Sequence, residues 1–172
     1  MAKTILIDGI SEHNIDKAVK ELHRYAEWVE WKRAELLTKL AERGRRVAEI
    51  NFTFAIYDGN KEDISVTVDE RGTSATIYAK GEAVAFIEFG SGAKEGYGHP
   101  QASEHGLGPG TWSTNEELGG KGHWDDPNGW YYEHGKKSHG NPPAMAMWQA
   151  VQTMTEELTT IAKEVFSSPY VN

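Results

Sequence analysis

The sequence predicts an α+β fold: a long N-terminal helix, an antiparallel sheet of three to five strands, and a C-terminal amphipathic helix packed on the sheet. Three observations lead to this prediction. Apolar residues recur at three- and four-residue spacing from Ser11 to Arg43, with no glycine or proline between them. Three segments of alternating apolar and polar residues follow, joined by tight turns that favour antiparallel pairing. A second helical stripe runs from Ala144 to Phe166.

The N-terminal helix has a clear start and a candidate stop. Ser11 suits the N-cap position because its hydroxyl can accept a bond from a free backbone N–H of the first turn. Gly44 offers a stop. The expected helix has about thirty residues and a length of roughly 45–50 Å. A short apolar run at 4–7 is expected to form a small edge strand before it.

Two tryptophans lie three residues apart on one face of this helix, Trp28 and Trp31. Either both pack on the sheet, or part of this face meets another subunit, since aromatic residues concentrate at the centres of interfaces. The sequence leaves both alternatives open.

Three strands are predicted after the helix. The first covers Ala48 to Tyr57, where apolar residues occupy every second position. The second covers Ile64 to Asp69 and the third Ser74 to Ala79, with a tight turn at Glu70-Arg71-Gly72 between them. One face of the sheet is apolar, so helices are expected to cover it.

The most apolar run of the chain lies at 81–92 and ends in Gly90-Ser91-Gly92. Its apolar residues could bury one side of a short helix or of a short strand. Periodicity cannot decide between the two over so few residues.

The remaining segment, 93–141, contains eleven glycines and five of the seven histidines. We expect one domain, 1–172, that carries this segment as a long irregular loop or arm. A short aromatic strand at 129–133 could form a hairpin with 122–124 across the turn at 125–129. Pro143 is expected in the first turn of the C-terminal helix.

Composition excludes several classes of function. The net charge of −8 disfavours a general nucleic-acid binder and a partner at an anionic membrane surface. The absence of cysteine excludes disulfides, thiolate metal sites and cysteine nucleophiles. No apolar window is long enough to span a membrane, and 1–9 lacks the pattern of a signal peptide.

One enzymatic alternative remains, a metal-dependent hydrolase or a cell-wall-glycan-binding module built from the segment between 99 and 139. Its candidate metal ligands are the five histidines of that segment: His99, His105, His123, His134 and His139. Their spacing fits no known zinc motif, and tryptophan-rich loops suit protein interfaces as well as sugars. We therefore expect no metal, no cofactor and no catalytic residue.

Two stretches carry most of a resemblance to a known family, and a third adds to it. Phe86-Ile87-Glu88-Phe89-Gly90-Ser91-Gly92 resembles the Glu-Phe-Gly-Thr signature of the siphophage tail-component family, the gene-product-10-like tail-completion or head–tail joining proteins. The stretch 140–147, with Ala150, resembles the proline-containing ending of the same family, and 130–135 resembles an aromatic strand found in some members. In this chain Met145-Ala146-Met147 stands where the family has Pro-Phe-Met.

The resemblance implies a structural protein of the bacteriophage virion, present in the host cytoplasm during assembly. It would complete the tail or join head and tail as a ring of identical subunits, in contact with other tail or connector proteins. It would touch nucleic acid at most in the lumen of the ring. The expected interface residues are Trp28, Trp31, Glu88, Phe89, Gly90, Trp112, Trp124, Trp130, Tyr131 and Tyr132.

Overall fold

The structure is a computed structural model that describes residues 11–109, 128–131 and 137–170. Helix α1 covers Glu12–Phe54, 43 residues, or about 65 Å. The Ser11 side chain accepts a hydrogen bond from the Asn14 backbone N–H at 3.3 Å, so the predicted N-cap is confirmed. The edge strand predicted at 4–7 lies outside the described residues.

Helix α1 continues past Gly44, so the predicted stop and the strand predicted at 48–57 are both wrong. Gly44 is buried inside the helix, where a Cβ atom would lie 2.6 Å from both Ile77 Cδ1 and Met154 Sδ. The glycine therefore allows close packing rather than ending the helix.

The alternating apolar pattern after Gly44 does not mark a buried sheet face. Ala48 and Phe52 are buried four residues apart on the helix. Ile50, Phe54 and Ile56 are 56%, 80% and 73% exposed. The period-two pattern therefore combines the buried Phe52 with three apolar side chains that face solvent, and the hydrophobic pattern cannot distinguish the two kinds.

The other two predicted strands are confirmed as an antiparallel hairpin. Strand β1, Ser65–Arg71, pairs with β2, Ser74–Lys80, in a register that runs from Ser65 opposite Lys80 to Arg71 opposite Ser74. Gly72 turns the chain with a φ of +59°, which a residue without a Cβ adopts at low cost. Because the first predicted strand is helical, this sheet has two strands in the described residues.

The apolar run at 81–92 contains a short helix, α2, Val84–Phe89, which decides between helix and strand. After it, a 3-10 turn covers Ala102–His105. A second two-stranded ladder pairs β3, Trp130–Tyr131, with β4, Lys137–Ser138. The predicted aromatic strand is thus confirmed at Trp130–Tyr131. The rest of it, 132–133, and its expected partner at 122–124 lie outside the described residues.

The C-terminal helix α3, Ala146–Ser167, packs antiparallel along α1. It begins three residues after Pro143, so that proline precedes the helix and is not in its first turn. The core lies where α3, α1, α2 and the hairpin meet. Its buried members are Ala48, Phe52, Val66, Ala83, Ile87, Ala146 and Ala150. The predicted α+β fold with its two flanking helices is confirmed.

Gly44→Val should destabilise the protein by about 1–3 kcal/mol because the added branches would push Ile77 and Met154 out of their packed positions. The measurement is urea unfolding followed by circular dichroism. Ala34→Val is the matched control, an exposed position on the same helix, and should cost about 0.5 kcal/mol. Equal losses for the two variants would contradict close packing at Gly44.

Ion pairs along α1 and α3 make stability depend on pH. The Arg43 guanidinium donates to both carboxylate oxygens of Glu157, at 2.7 and 2.8 Å, and this hydrogen bonding lowers the pKa of Glu157 below its ordinary value of 4.5. A carboxyl whose pKa is lower in the folded than in the unfolded state stabilises the fold above its ordinary pKa. That contribution is lost as the pH falls through the lowered pKa.

The thermal midpoint should therefore fall between about pH 6 and about pH 3, and fall less in Glu157→Gln, which is already without the contribution. Glu156→Gln is the control on the same turn of α3, and it should retain the wild-type pH dependence. Differential scanning calorimetry across the pH range measures all three proteins. Identical profiles for the wild type and Glu157→Gln would rule out this pair as a source of the dependence.

Candidate functional site

The two stretches that carry the family resemblance meet at one place, which we call the motif junction (86–92 and 140–147). Ser91 and Asn141 exchange backbone hydrogen bonds in both directions, each 3.0 Å long. The Ser91 hydroxyl donates to Asn141 Oδ1 at 2.6 Å, and the Asn141 amide donates to the Phe86 carbonyl at 2.9 Å. Both residues are buried, so these bonds are protected from competition with water.

Two glycines of the junction are there because the backbones approach closely. A Cβ at Gly140, whose φ is +102°, would lie 1.9 Å from the Ser91 carbonyl oxygen. A Cβ at Gly90, whose φ is +77°, would lie 2.9 Å from the Pro143 nitrogen. Any side chain at either position would separate the two stretches.

Glu88 caps the N-terminal end of α3, although it lies outside that helix. Its carboxylate accepts the Met147 N–H at 2.9 Å on Oε2 and the Trp148 N–H at 3.0 Å on Oε1. The helix has no side-chain cap of its own, because its N-cap residue is Met145, in a left-handed conformation with φ +52°. A buried negative charge there satisfies N–H groups that have no partner within the helix and complements the helix dipole.

His99 donates the third hydrogen bond to that carboxylate. The contacts of the imidazole define the tautomer of His99. The Nδ1 atom accepts the Gln101 backbone N–H at 3.1 Å, so it carries no proton. The proton therefore lies on Nε2, which donates to Glu88 Oε1 at 3.3 Å. The imidazole packs edge-on against Phe89 and Trp148, with centroid distances of 4.4 and 6.0 Å.

The Glu88–His99 pair resembles an acid–base dyad only in composition. The two side chains are 6% and 2% exposed, and both imidazole nitrogens are engaged within the chain. The carboxylate already accepts three N–H bonds. A substrate or a metal ion would have to displace these bonds, so the arrangement fixes the geometry of the junction.

The other candidate metal ligands do not join this pair. His105 is exposed, 5.3 Å from the Phe89 ring between centroids, and His139 is exposed beside β4. His123 and His134 lie outside the described residues. Within 11–109, 128–131 and 137–170, no three histidine, aspartate or glutamate side chains are grouped so as to hold a metal ion.

The two tryptophans of α1 differ in environment, and neither packs on the sheet. Trp28 is half-buried in an aromatic cluster with Tyr25, Phe166 and Tyr170, at centroid distances of 5.6, 6.0 and 5.8 Å. Trp31 is 60% exposed, and the Lys32 ammonium lies 4.3 Å from the centroid of its ring. Trp28 therefore serves the fold, whereas Trp31 is available to a partner.

The remaining predicted interface residues fall into three groups. Glu88 and Gly90 are buried inside the junction, and Phe89 is half-buried beside them. Trp130 and Tyr131 form β3. Trp112, Trp124 and Tyr132 lie outside the described residues. Their role in contacts between subunits stays a prediction.

Sequence reasoning missed the buried Lys32, which contacts the C-terminal end of α3. Its Nζ donates to Glu35 at 2.8 Å and to the hydroxyl of Ser168, the C-cap residue of α3, at 3.0 Å. A cation at a helix C-terminus is favoured by the helix dipole. The only signal in the sequence was that Lys32 falls on the apolar stripe of the helix. A lysine at such a position usually reaches solvent, so the signal is weak.

No family model, curated protein or solved structure matches the chain. In the part of the chain that the structure describes, no helix combines the length and the apolar character needed to cross a bilayer.

Glu88→Ala should lower stability by about 3–5 kcal/mol, because it leaves two N–H groups of α3 and the His99 Nε2–H without their acceptor. Glu88→Gln keeps one acceptor oxygen and should cost less, about 1–2 kcal/mol. Thermal unfolding measures both losses.

Glu95→Gln is the matched control, an exposed glutamate close to the junction, and its loss should stay within about 0.5 kcal/mol. If Glu88→Ala were no more damaging than this control, the proposed capping of α3 by Glu88 would be refuted.

Proposed function

We propose that this chain is a structural subunit of a bacteriophage virion that completes the tail or joins head and tail, acting as a ring of identical copies and performing no reaction. The observation that carries the proposal is the motif junction. The two stretches that resemble the tail-completion family are distant in sequence, yet they form one buried, hydrogen-bonded unit. A shared structural unit is a stronger basis for the resemblance than either stretch alone.

The polar groups of the junction support a structural role. Glu88, His99, Ser91 and Asn141 bind one another and the start of α3, so a substrate would have to displace hydrogen bonds that hold the fold together. Their arrangement fixes where the 93–141 segment begins and where it ends. This is the kind of rigid base that a subunit needs in order to present a long arm to its neighbours.

The exposed apolar side chains support contacts with other chains. Trp31 and Phe54 are exposed on α1, and Val151 and Leu158 are exposed at 49% and 44% on α3. The two aromatic rings are candidates for such contacts, because aromatic residues are enriched at the centres of interfaces. A ring needs two different complementary faces on each subunit, and the exposed residues of α1 and of α3 provide separate candidates.

Trp31→Ser and Phe54→Ser should retain the thermal midpoint of the wild type and lose assembly, because each removes an exposed aromatic ring with little packing inside the chain. The measurement is light scattering over a concentration series, with and without the tail and connector proteins of the same phage, followed by electron microscopy of the rings. Ala34→Ser, exposed on the same helix, is the control and should assemble normally.

Two results would contradict the proposal. One is a strict monomer at all concentrations in the presence of those partners. The other is zinc in stoichiometric amount in untagged protein, together with hydrolysis of a cell-wall glycan, which would support the enzymatic alternative.

A further inference from the structure

Strand β1 has one edge that pairs with no other strand among the described residues. Its other edge pairs with β2 from Ser65 to Arg71. Strand β2 lies next to α3, because Ile77 of the strand and Met154 of the helix meet at Gly44. Alternate residues of a paired strand direct their N–H and C=O groups away from the partner. The outer edge of β1 therefore offers a row of backbone donors and acceptors to another extended segment.

Charged residues occupy only one half of that edge. Asp69, Glu70 and Arg71 form the half next to the turn, where charges discourage pairing with another chain. The other half, 65–68, consists of serine, threonine and two valines, with neither a charge nor a proline. An uncharged stretch of strand edge can accept an additional strand through its backbone groups.

A groove lies beside this uncharged half and has an apolar floor. It is located between α1 and β1, has a volume of about 630 Å³, and is lined at its base by Phe52, Ile64 and Val66. Phe52 and Val66 are 3% and 7% exposed, so the floor is continuous with the core. In strand addition the backbone gives affinity and pockets for alternate side chains give specificity. The groove therefore suits a short extended segment with apolar side chains at alternate positions.

The rim of the groove has a negative balance of charge. Its charged residues are Glu49, Lys61 and Glu62. The Lys61 ammonium donates to two carbonyl oxygens at the end of α1, at 3.0 and 2.7 Å. Arg45 contacts Glu49 but also pairs with Glu42, so three carboxylates face two cations. A segment that fits should carry a positive charge beside its apolar residues.

One segment of this chain has that chemistry. The run at 4–7, Thr-Ile-Leu-Ile, is predicted to form a strand and lies outside the described residues. Successive side chains of a strand point to opposite faces. When Ile5 and Ile7 face the groove floor, Lys3 lies on the same side and close to the rim. Lys3 is the one charged side chain of 1–7, so the charges of segment and groove are complementary.

The segment cannot reach the groove of its own chain. Ser11 caps the start of α1, and Glu49 lies about 55 Å further along the helix at 1.5 Å per residue. The chain from Ile5 to Ser11, fully extended, spans at most about 20 Å. The segment can therefore fill this groove only on a second copy of the chain.

We propose that residues 4–7 of one copy add a strand to the outer edge of β1 in the next copy. Each chain then donates a strand beyond one end of α1 and accepts one near the other end, so the contact is head-to-tail and repeats from copy to copy. The inference rests on the ring of the proposed function and identifies a contact that joins its subunits.

Cross-linking tests this contact, because the chain contains no cysteine. The full chain carrying both Ile5→Cys and Thr53→Cys should form a ladder of disulfide-linked oligomers on oxidation, visible on non-reducing gels. Thr53 lines the groove and is exposed, so its replacement leaves the core unchanged. Within one chain the two cysteines are too far apart for a disulfide, so every band of the ladder reports a contact between copies.

Three variants serve as controls, and circular dichroism confirms that each is folded. Ile5→Cys with Ala34→Cys should give no ladder, because Ala34 is exposed on the same helix but far from the groove. Ile7→Ser, added to the chain with cysteines at 5 and 53, should reduce the ladder about tenfold because an apolar side chain leaves the groove floor. Leu6→Ser, added to the same chain, should retain most of the ladder, because that side chain points away from the floor.

Four results would overturn the inference: no ladder from the chain with cysteines at 5 and 53, an equally strong ladder from the Ala34→Cys control, equal losses for Leu6→Ser and Ile7→Ser, or a ladder that stops at two chains. The last result would indicate reciprocal exchange between two copies. Rings that assemble with the tail and connector proteins but give no ladder would refute strand addition and leave the proposed function in place. A ladder from a chain that ignores those proteins would do the reverse.

Discussion

The contact between the Glu88 carboxylate and the first N–H groups of α3 is the constraint on which the rest of the structure depends. It fixes where α3 begins, and the start of α3 determines which of its residues face α1. With that register, Ala146 and Ala150 join Ala48 and Phe52 in the core. The cost of burying a charge is offset because the carboxylate accepts three N–H bonds and complements the helix dipole.

Side chains from other parts of the chain also satisfy polar groups at other helix ends. Lys61 donates to the Thr53 and Ala55 carbonyls at 3.0 and 2.7 Å and so closes the C-terminal end of α1 from the loop that follows it. Lys32 reaches the C-cap of α3 across the helix pair. The start of α1, by contrast, is capped by an adjacent side chain, that of Ser11. Ion pairs from α1 to α3 then hold the helices alongside each other between these ends.

This pattern explains which features the sequence could reveal. The cap at Ser11 and the hairpin of β1 and β2 depend on neighbouring residues, and both could be predicted. The length of α1 could not be predicted, because Gly44 is a glycine that allows close packing of side chains distant in sequence, and not a helix stop. The role of Glu88 was missed for the same reason, since its donors lie about sixty residues away in α3. The resemblance drew on residues that meet at the junction, but it gave no indication that they are buried there.

The reciprocal bonds between Ser91 and Asn141 have a consequence for how such a chain can diversify. The 93–141 segment begins and ends at two adjacent points, next to Ser91 and at Asn141, whose separation those bonds hold constant. The entropic penalty of closing a loop grows slowly, by about 0.6 kcal/mol for each doubling of its length. Insertions or deletions far from the two anchors can therefore be accommodated without displacing the helices, so this region can change in length while the scaffold is preserved.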